Sequence, residues 1–150
     1  IKIKGKWRYL YRAVDKYGAT IEFMVSKKRD GAAAKAFFRK AFRHNRMPYR
    51  INIDKSGANK AALEYFNKPG WLTGETNFIL SQAKYLNNIV EQDHRHIKRV
   101  TNPMSGFKNF HSASSTIAGI ELMNMIKKKQ FKITGKEHLT RAEMFDLIAA

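Results

Sequence analysis

Hydrophobic and polar residues alternate through the first 26 positions of the chain. Three runs share this two-residue period (IKIK, WRYLYRAV and ATIEFMVS), and turn-forming residues separate them at Gly5 and at DKYG (15–18). A two-residue period puts successive side chains on opposite faces of a strand, and short turns join neighbouring strands antiparallel. The pattern therefore predicts an antiparallel meander of three strands. Trp7, Tyr9 and Tyr11 share one face of the second strand, and we expect that face to lie in the core.

The pattern changes to helical spacing after residue 30. Asp30 is a favourable cap for a helix that begins at Gly31, and this helix has an apolar side opposite a row of cations. The apolar positions are Phe37, Phe38, Ala41 and Phe42.

Two short strands and a second helix follow Pro48. YRINID (49–54) alternates apolar and polar positions and predicts a strand. A helix then starts near Ser56 and is broken at Pro69-Gly70, and TNFILS (76–81) predicts a further strand.

Three helices complete the chain. The first is NNIVEQDHRHIKR (87–99), which starts at Asn87 or Asn88, and the second covers residues 112–130 and ends in three lysines, which suit a helix C-terminus. The last, LTRAEMFDLIAA, carries a capping box in which Thr140 precedes Glu143 by three residues. The second helix has apolar positions that include Ile117, Ile120, Met123 and Met125.

This order of elements, a meander followed by alternating helices and strands, predicts an α/β fold. It is the element order of the ribonuclease H-like fold, which places acidic residues at strand ends and on the helix after the last strand. We expect helical additions in a tail of residues 132–150.

The charge of the chain indicates a polyanionic partner. The formal net charge is +17, and residues 1–50 hold 15 Lys and Arg against three acids, or +12. Such a concentration of cations favours nucleic acid, although a basic protein without such a partner remains the alternative. The chain has no cysteine, which excludes disulfides and thiolate zinc sites. No apolar run is long enough to span a membrane, and no early basic helix with a broad apolar face suggests a membrane surface.

Asp54 and Glu91 are the carboxylates best placed for chemistry. Asp54 ends a strand at the edge of the sheet where α/β folds build their sites, and a helix N-cap is the competing interpretation. Glu91 lies in about the first turn of a helix, where it is either a metal ligand or a solvated acid paired with Arg95. Phosphodiester chemistry uses divalent metal held by carboxylates, and Mg²⁺ prefers oxygen ligands, so the two acids together predict a Mg²⁺ (or Mn²⁺) site.

The helix that carries Glu91 also presents cations. His94, Arg95 and Lys98 follow Glu91 at i+3, i+4 and i+7, so all four share one stripe on which the three basic residues are expected to hold a DNA backbone. A zinc site at His94 and His96 is disfavoured, because residues two apart on a helix point in different directions.

Several separated segments resemble the catalytic core of DDE-type bacterial transposases of insertion-sequence family six. They are KGKWRYLYRAVDKYG, INIDKSGANKAAL, KYLNNIVEQDHRHIKR, GFKNFHSASSTIAGIE and LMNMIKKKQ, which together extend over about residues 1–131. The resemblance implies a ribonuclease H-like core of residues 1–131 whose first strand is truncated. It also implies three acids that bind two Mg²⁺ ions, cleavage at transposon ends, and transfer of a 3′ hydroxyl to target DNA. It also implies a bacterial, cytoplasmic and nucleoid-associated enzyme, expected to be a homo-oligomer on DNA.

The resemblance assigns Asp54 as the second acid, Glu91 as the third, and Lys98 as a basic residue that contacts DNA. The family's first acid lies in an Asp-Glu-Thr-Tyr-like stretch just upstream of the segment that begins here as IKIKGKW. Asp15, in the RAVDKYG turn, is not its substitute, because the family has that turn separately. We therefore expect residues 1–150 alone to be inactive or severely impaired. A non-catalytic DNA-binding remnant is the alternative, and a ribonuclease H-like nuclease unrelated to transposition is a third.

Overall fold

A computed structural model describes residues 1–68, 77–132 and 138–149, and it has mixed α/β architecture as predicted. Five strands and two helices occupy the first half: β1 (Lys2–Ile3), β2 (Lys6–Trp7), β3 (Tyr9–Val14), β4 (Thr20–Ser26), α1 (Gly31–His44), β5 (Arg50–Asn52) and α2 (Gly57–Phe66). The second half contains β6 (Ile79–Ser81), α3 (Asn87–Thr101), α4 (Phe110–Lys127) and α5 (Arg141–Ala149).

The strands pair in three separate two-stranded sheets within the described residues. β1 pairs antiparallel with β2 and β3 with β4, while β5 and β6 are parallel. The antiparallel pairings of the predicted meander are therefore present, but the predicted second strand is divided at Arg8 into β2 and β3. A single ribonuclease H-like sheet stays a prediction. The boundary between a core of residues 1–131 and a tail of residues 132–150 also stays a prediction.

The helix starts follow from the capping residues. Asp30 accepts a hydrogen bond from the Ala33 amide at 2.9 Å, which confirms its predicted role at the start of α1. Thr140 and Glu143 form the predicted capping box, because each side chain accepts a hydrogen bond from the other residue's amide. The predicted break at Pro69-Gly70 and the first residue of TNFILS lie outside the described residues.

The main core lies between α1, α2 and the strands. Tyr11 packs on Phe37 with ring centroids 5.4 Å apart, and the predicted apolar side of α1 faces inward. The other buried members of this core are Ala34, Phe38, Ile53, Ala62, Leu63, Phe66 and Phe78. Adjacent residues of a strand point to opposite faces, so Arg12 leaves the opposite side of β3, toward α3 and α4.

One prediction about a buried face was wrong in part. Trp7 and Tyr9 are 73% and 41% exposed, so of the three aromatic residues only Tyr11 lies in the core. Trp7 belongs to the small β1–β2 hairpin, and no described element covers its indole. In α4, the buried residues include Glu121 and Asn124, whereas the apolar residues Ile120, Met123 and Met125 are only partly buried.

Candidate functional site on α3

One side of α3 forms an open, polar depression. Glu91, His94, Arg95 and Lys98, which the sequence predicts on one stripe, line it together with Val90, and its volume is about 420 Å³. Their spacing of three and four residues brings successive side chains to the same side of the helix. The structure therefore places one carboxylate among three basic side chains at an accessible surface.

Glu91 is exposed, and its side chain makes no ion pair or hydrogen bond with any described residue. The salt bridge to Arg95 that would explain Glu91 as a solvated helix acid is absent from this part of the chain. Arg95 and Lys98 are also exposed and have no carboxylate partner there. The carboxylate is thus available to a cation, and the two cations are available to an anion.

His94 differs from its neighbours because it is partly buried. Burial, followed by the nearby charges of Arg12 and Lys98, lowers the pKa of His94 to about 4. Its imidazole is therefore neutral at pH 7. At that pH it can donate one N–H hydrogen bond to a phosphate oxygen, but it adds no positive charge to the depression.

Asp54 lies two residues after the end of β5, at the carboxyl edge of the parallel β5–β6 pair. Its Oδ2 accepts a hydrogen bond from Arg29 at 2.8 Å, and its Oδ1 accepts bonds from the Ser56 amide and from Asn59. Ser56, and not Asp54, is the N-cap residue of α2, although the Ser56 side chain makes no capping bond. The two partners of the Arg29 ion pair are about half exposed, so the pair is open to competition from solvent ions.

An asparagine pair joins the elements that carry the two acids. The Asn52 amide group donates to Asn87 at 2.7 Å and also bonds to both backbone groups of Ala83. The end of β5 and the start of α3 are therefore held together. Asp54 does not line the depression beside Glu91, and within the described residues no three metal-ligating side chains converge.

A buried ionic cluster fixes α3 against β3 and α4, and it was not predicted. Arg12 donates to both carboxylate oxygens of Glu121, at 2.7 and 2.8 Å, and to Asp93. Asp93 also accepts bonds from Asn124 and Lys128. The side chains of Arg12, Glu121 and Asp93 are 1%, 0% and 9% exposed.

Burial acts differently on the two acids of this cluster. Burial raises the pKa of Glu121, and the bonds from Arg12 only partly offset it. Burial also acts to raise the pKa of Asp93, but Lys128, Arg12 and Asn124 outweigh it, so that this pKa is lowered. The one signal in the sequence was the isolated acid in the apolar run IAGIELMNMI, which is a weak indication of a buried partner.

The chain matches a family model described as a DDE domain over residues 1–130. A transposase for the insertion sequence-like element IS431mec of Staphylococcus aureus is 38% identical over 130 residues, which cover 86% of this chain and 55% of the relative. The transposase for insertion sequence element IS257 in transposon Tn4003, also of Staphylococcus aureus, gives the same values.

A shorter similarity extends to an uncharacterized protein of Yersinia pseudotuberculosis, which is 37% identical over 73 residues, or 47% of this chain and 68% of the relative. The chain spans about half the length of the staphylococcal relatives. No solved structure matches the chain at a significant level. Among the described helices, none combines the length and the apolar character needed to cross a membrane.

Proposed function

Because the chain belongs to the DDE-type transposases of insertion-sequence family six, we propose that it forms part of an enzyme that cuts DNA at transposon ends and transfers the freed 3′ hydroxyl to target DNA. The observation that carries the proposal is Glu91, an accessible carboxylate that lies beside Arg95 and Lys98. None of these three side chains forms an ion pair with a described residue. This arrangement suits a site that holds metal next to phosphate.

Asp54 and Glu91 are the residues that would hold Mg²⁺ or Mn²⁺. Both present hard carboxylate oxygens at the surface, and Mg²⁺ keeps several waters, so the donor type fits the ion. Two such ions, when bound, activate the attacking oxygen and stabilise the leaving one. The exposed Arg29 pair leaves Asp54 within reach of such an ion, which would have to displace the Arg29 guanidinium.

Lys98, Arg95 and His94 are proposed to hold DNA. Lys98 and Arg95 carry the positive charge that attracts the phosphate backbone, and neutral His94 contributes a hydrogen bond. DNA held along this side of α3 passes directly over Glu91. We further propose that the protein acts as a homo-oligomer on DNA, at the bacterial nucleoid.

A non-catalytic DNA-binding remnant is the second candidate. It is favoured by the absence of a third metal-ligating side chain near either acid in the described residues. Metal dependence separates the two candidates, because a remnant should bind DNA equally well with and without Mg²⁺, whereas a metal site beside phosphate should link the two ligands.

The metal site can be tested directly on residues 1–150 with Mn²⁺, whose paramagnetism broadens nearby amide signals in NMR spectra. We expect broadening around residues 54 and 91, and its loss in Asp54→Asn and Glu91→Gln. Glu64→Gln is the matched control, since Glu64 is an exposed helical carboxylate that faces Lys60. Broadening that both site variants leave unchanged would refute the metal assignment.

Catalysis requires a second assay. Within a polypeptide as long as the curated relatives, Glu91→Gln should abolish Mg²⁺-dependent strand transfer and leave the far-ultraviolet circular dichroism unchanged. Full activity of that variant would exclude Glu91 as a catalytic ligand. Efficient strand transfer by residues 1–150 alone would contradict the expectation that a further acid is required.

A further inference from the structure

The β1–β2 hairpin exposes a tryptophan beside a pocket that the proposed function does not use. The indole of Trp7 is 73% exposed, although tryptophan is on average largely buried in folded proteins. Trp7 lines a pocket of about 410 Å³ whose other walls include Lys2, Thr101, Asn102, Gly106 and Phe107. That volume lies within the range of sites for small organic ligands.

The walls of the pocket are held in place by backbone contacts. The Phe107 amide donates to the Lys2 carbonyl at 2.9 Å, and the Lys4 amide donates to the Phe107 carbonyl at 2.8 Å. Gly106 has φ +100°, and a Cβ there would lie 3.0 Å from the Lys2 carbonyl oxygen. The hairpin therefore sits directly against the turn that precedes α4, and the pocket is part of the folded framework.

The surroundings of the pocket favour an anionic ligand with an aromatic face. Lys2 lines the pocket and is exposed, and Lys4 and Lys6 of the same hairpin and Lys108 of the adjoining turn are exposed as well. None of the four forms an ion pair with a carboxylate in the described part of the chain. Exposed aromatic rings within a basic surface are the arrangement by which proteins hold single-stranded nucleic acid, because bases stack on the rings while cations contact the backbone.

The pocket also continues the stripe on α3. Asn102 follows Glu91 by 11 residues, which is about three helical turns. It therefore lies on the same side of the helix as Glu91, Arg95 and Lys98, about 16 Å from Glu91 along the helix axis. A DNA strand that leaves Glu91 along this side therefore reaches the pocket beside Trp7.

We propose that this pocket holds an unpaired nucleobase, stacked on Trp7, from a DNA strand that runs along α3. The proposal rests on the proposed function only for the path of the strand along α3. A fully paired duplex keeps its bases stacked on one another, so the pocket should add affinity only for DNA with single-stranded character.

The test uses residues 1–150 with Trp71→Phe, which leaves Trp7 as the one tryptophan of the sequence. Trp7 fluorescence and binding affinity are measured with a short blunt duplex and with the same duplex carrying a single-stranded overhang. We expect the overhang to quench Trp7. Trp7→Ala should weaken binding of the overhang DNA by about 5- to 150-fold, with little change for the blunt duplex. Trp7→Tyr should retain most of the affinity, because tyrosine also stacks.

Tyr17→Ala is the matched control, because Tyr17 is 83% exposed and lies in the turn at the other end of β3. Absence of quenching, or an equal loss for both DNAs in Trp7→Ala, would overturn the proposal. Dimerisation that depends on Trp7 in sedimentation experiments would also overturn it, since the pocket would then hold a second copy. Lys98→Gln should weaken the binding of both DNAs equally. An unchanged affinity in that variant would contradict the proposed DNA path along α3 and would leave the result for Trp7 independent.

Discussion

Replacing Arg12 by methionine should destabilise the protein strongly, because Arg12 neutralises two buried acids. The substitution keeps much of the aliphatic volume and removes three hydrogen bonds to carboxylates. Glu121 then loses both bonds that Arg12 provides and stays fully buried, whereas Asp93 keeps Lys128 and Asn124. Removing one partner of a buried ion pair costs about 3–5 kcal/mol, and we expect a loss in that range at pH 7.

The cost should fall when Glu121 no longer carries an uncompensated charge. Its pKa is already raised by burial, so it takes up a proton more readily than an exposed glutamate as the pH falls. In the double variant Arg12→Met, Glu121→Gln, the buried charge is absent, and the destabilisation should be smaller than in Arg12→Met alone.

Urea denaturation followed by circular dichroism measures these free energies. Arg29→Met is the matched control, because the Arg29–Asp54 pair is about half exposed and should contribute less than about 1 kcal/mol. A loss below about 1 kcal/mol for Arg12→Met, or a double variant as unstable as the sum of the single ones, would refute the role assigned to the cluster.

Three further predictions concern the α3 surface and the hairpin. Lys98→Gln should reduce the slope of log affinity for DNA against log salt concentration by about 0.9. Arg39→Gln, which changes an exposed cation on the opposite side of β3, should leave that slope unchanged. Equal effects of the two substitutions would argue against a specific DNA-binding surface on α3. Since the pKa of His94 is lowered to about 4, its contribution to stability is complete above pH 6.5 and is lost as the pH falls toward 4. Urea denaturation should show that the free energy of unfolding falls by about 2 kcal/mol over this pH range, after allowance for solvent screening. The fall should be smaller in His94→Gln, which has no imidazole to protonate. Gly106→Ala should cost about 1–3 kcal/mol in thermal or urea denaturation, because alanine disfavours φ +100° and would approach Lys2; an unchanged stability would show that the turn adapts.

Local sequence determined where the helices lie and how α1 and α5 begin, although α4 runs from Phe110 to Lys127 and not over the predicted residues 112–130. The caps at Asp30 and at Thr140 involve residues only three positions away, and the apolar side of α1 repeats at the helical period. Such features depend on bonds and contacts between near neighbours, so the sequence pattern predicts them directly. The stripe from Glu91 to Lys98 was predictable for the same reason.

Tertiary structure decided which side chains are paired, buried or free. Arg12 meets Glu121 across 109 positions of sequence, and Arg29 meets Asp54 across 25, and no periodicity relates such residues. The exposure of Trp7 depends on which elements pack against the β1–β2 hairpin. The alternation of hydrophobic and polar residues around Trp7 is the same as in any half-buried strand, so it does not reveal this exposure. The sequence by itself therefore determined local geometry and the positions of the two acids. Long-range packing decided that the Glu91 side chain has no partner among the described residues, that Asp54 is engaged by Arg29, and that charged groups hold α3 in place.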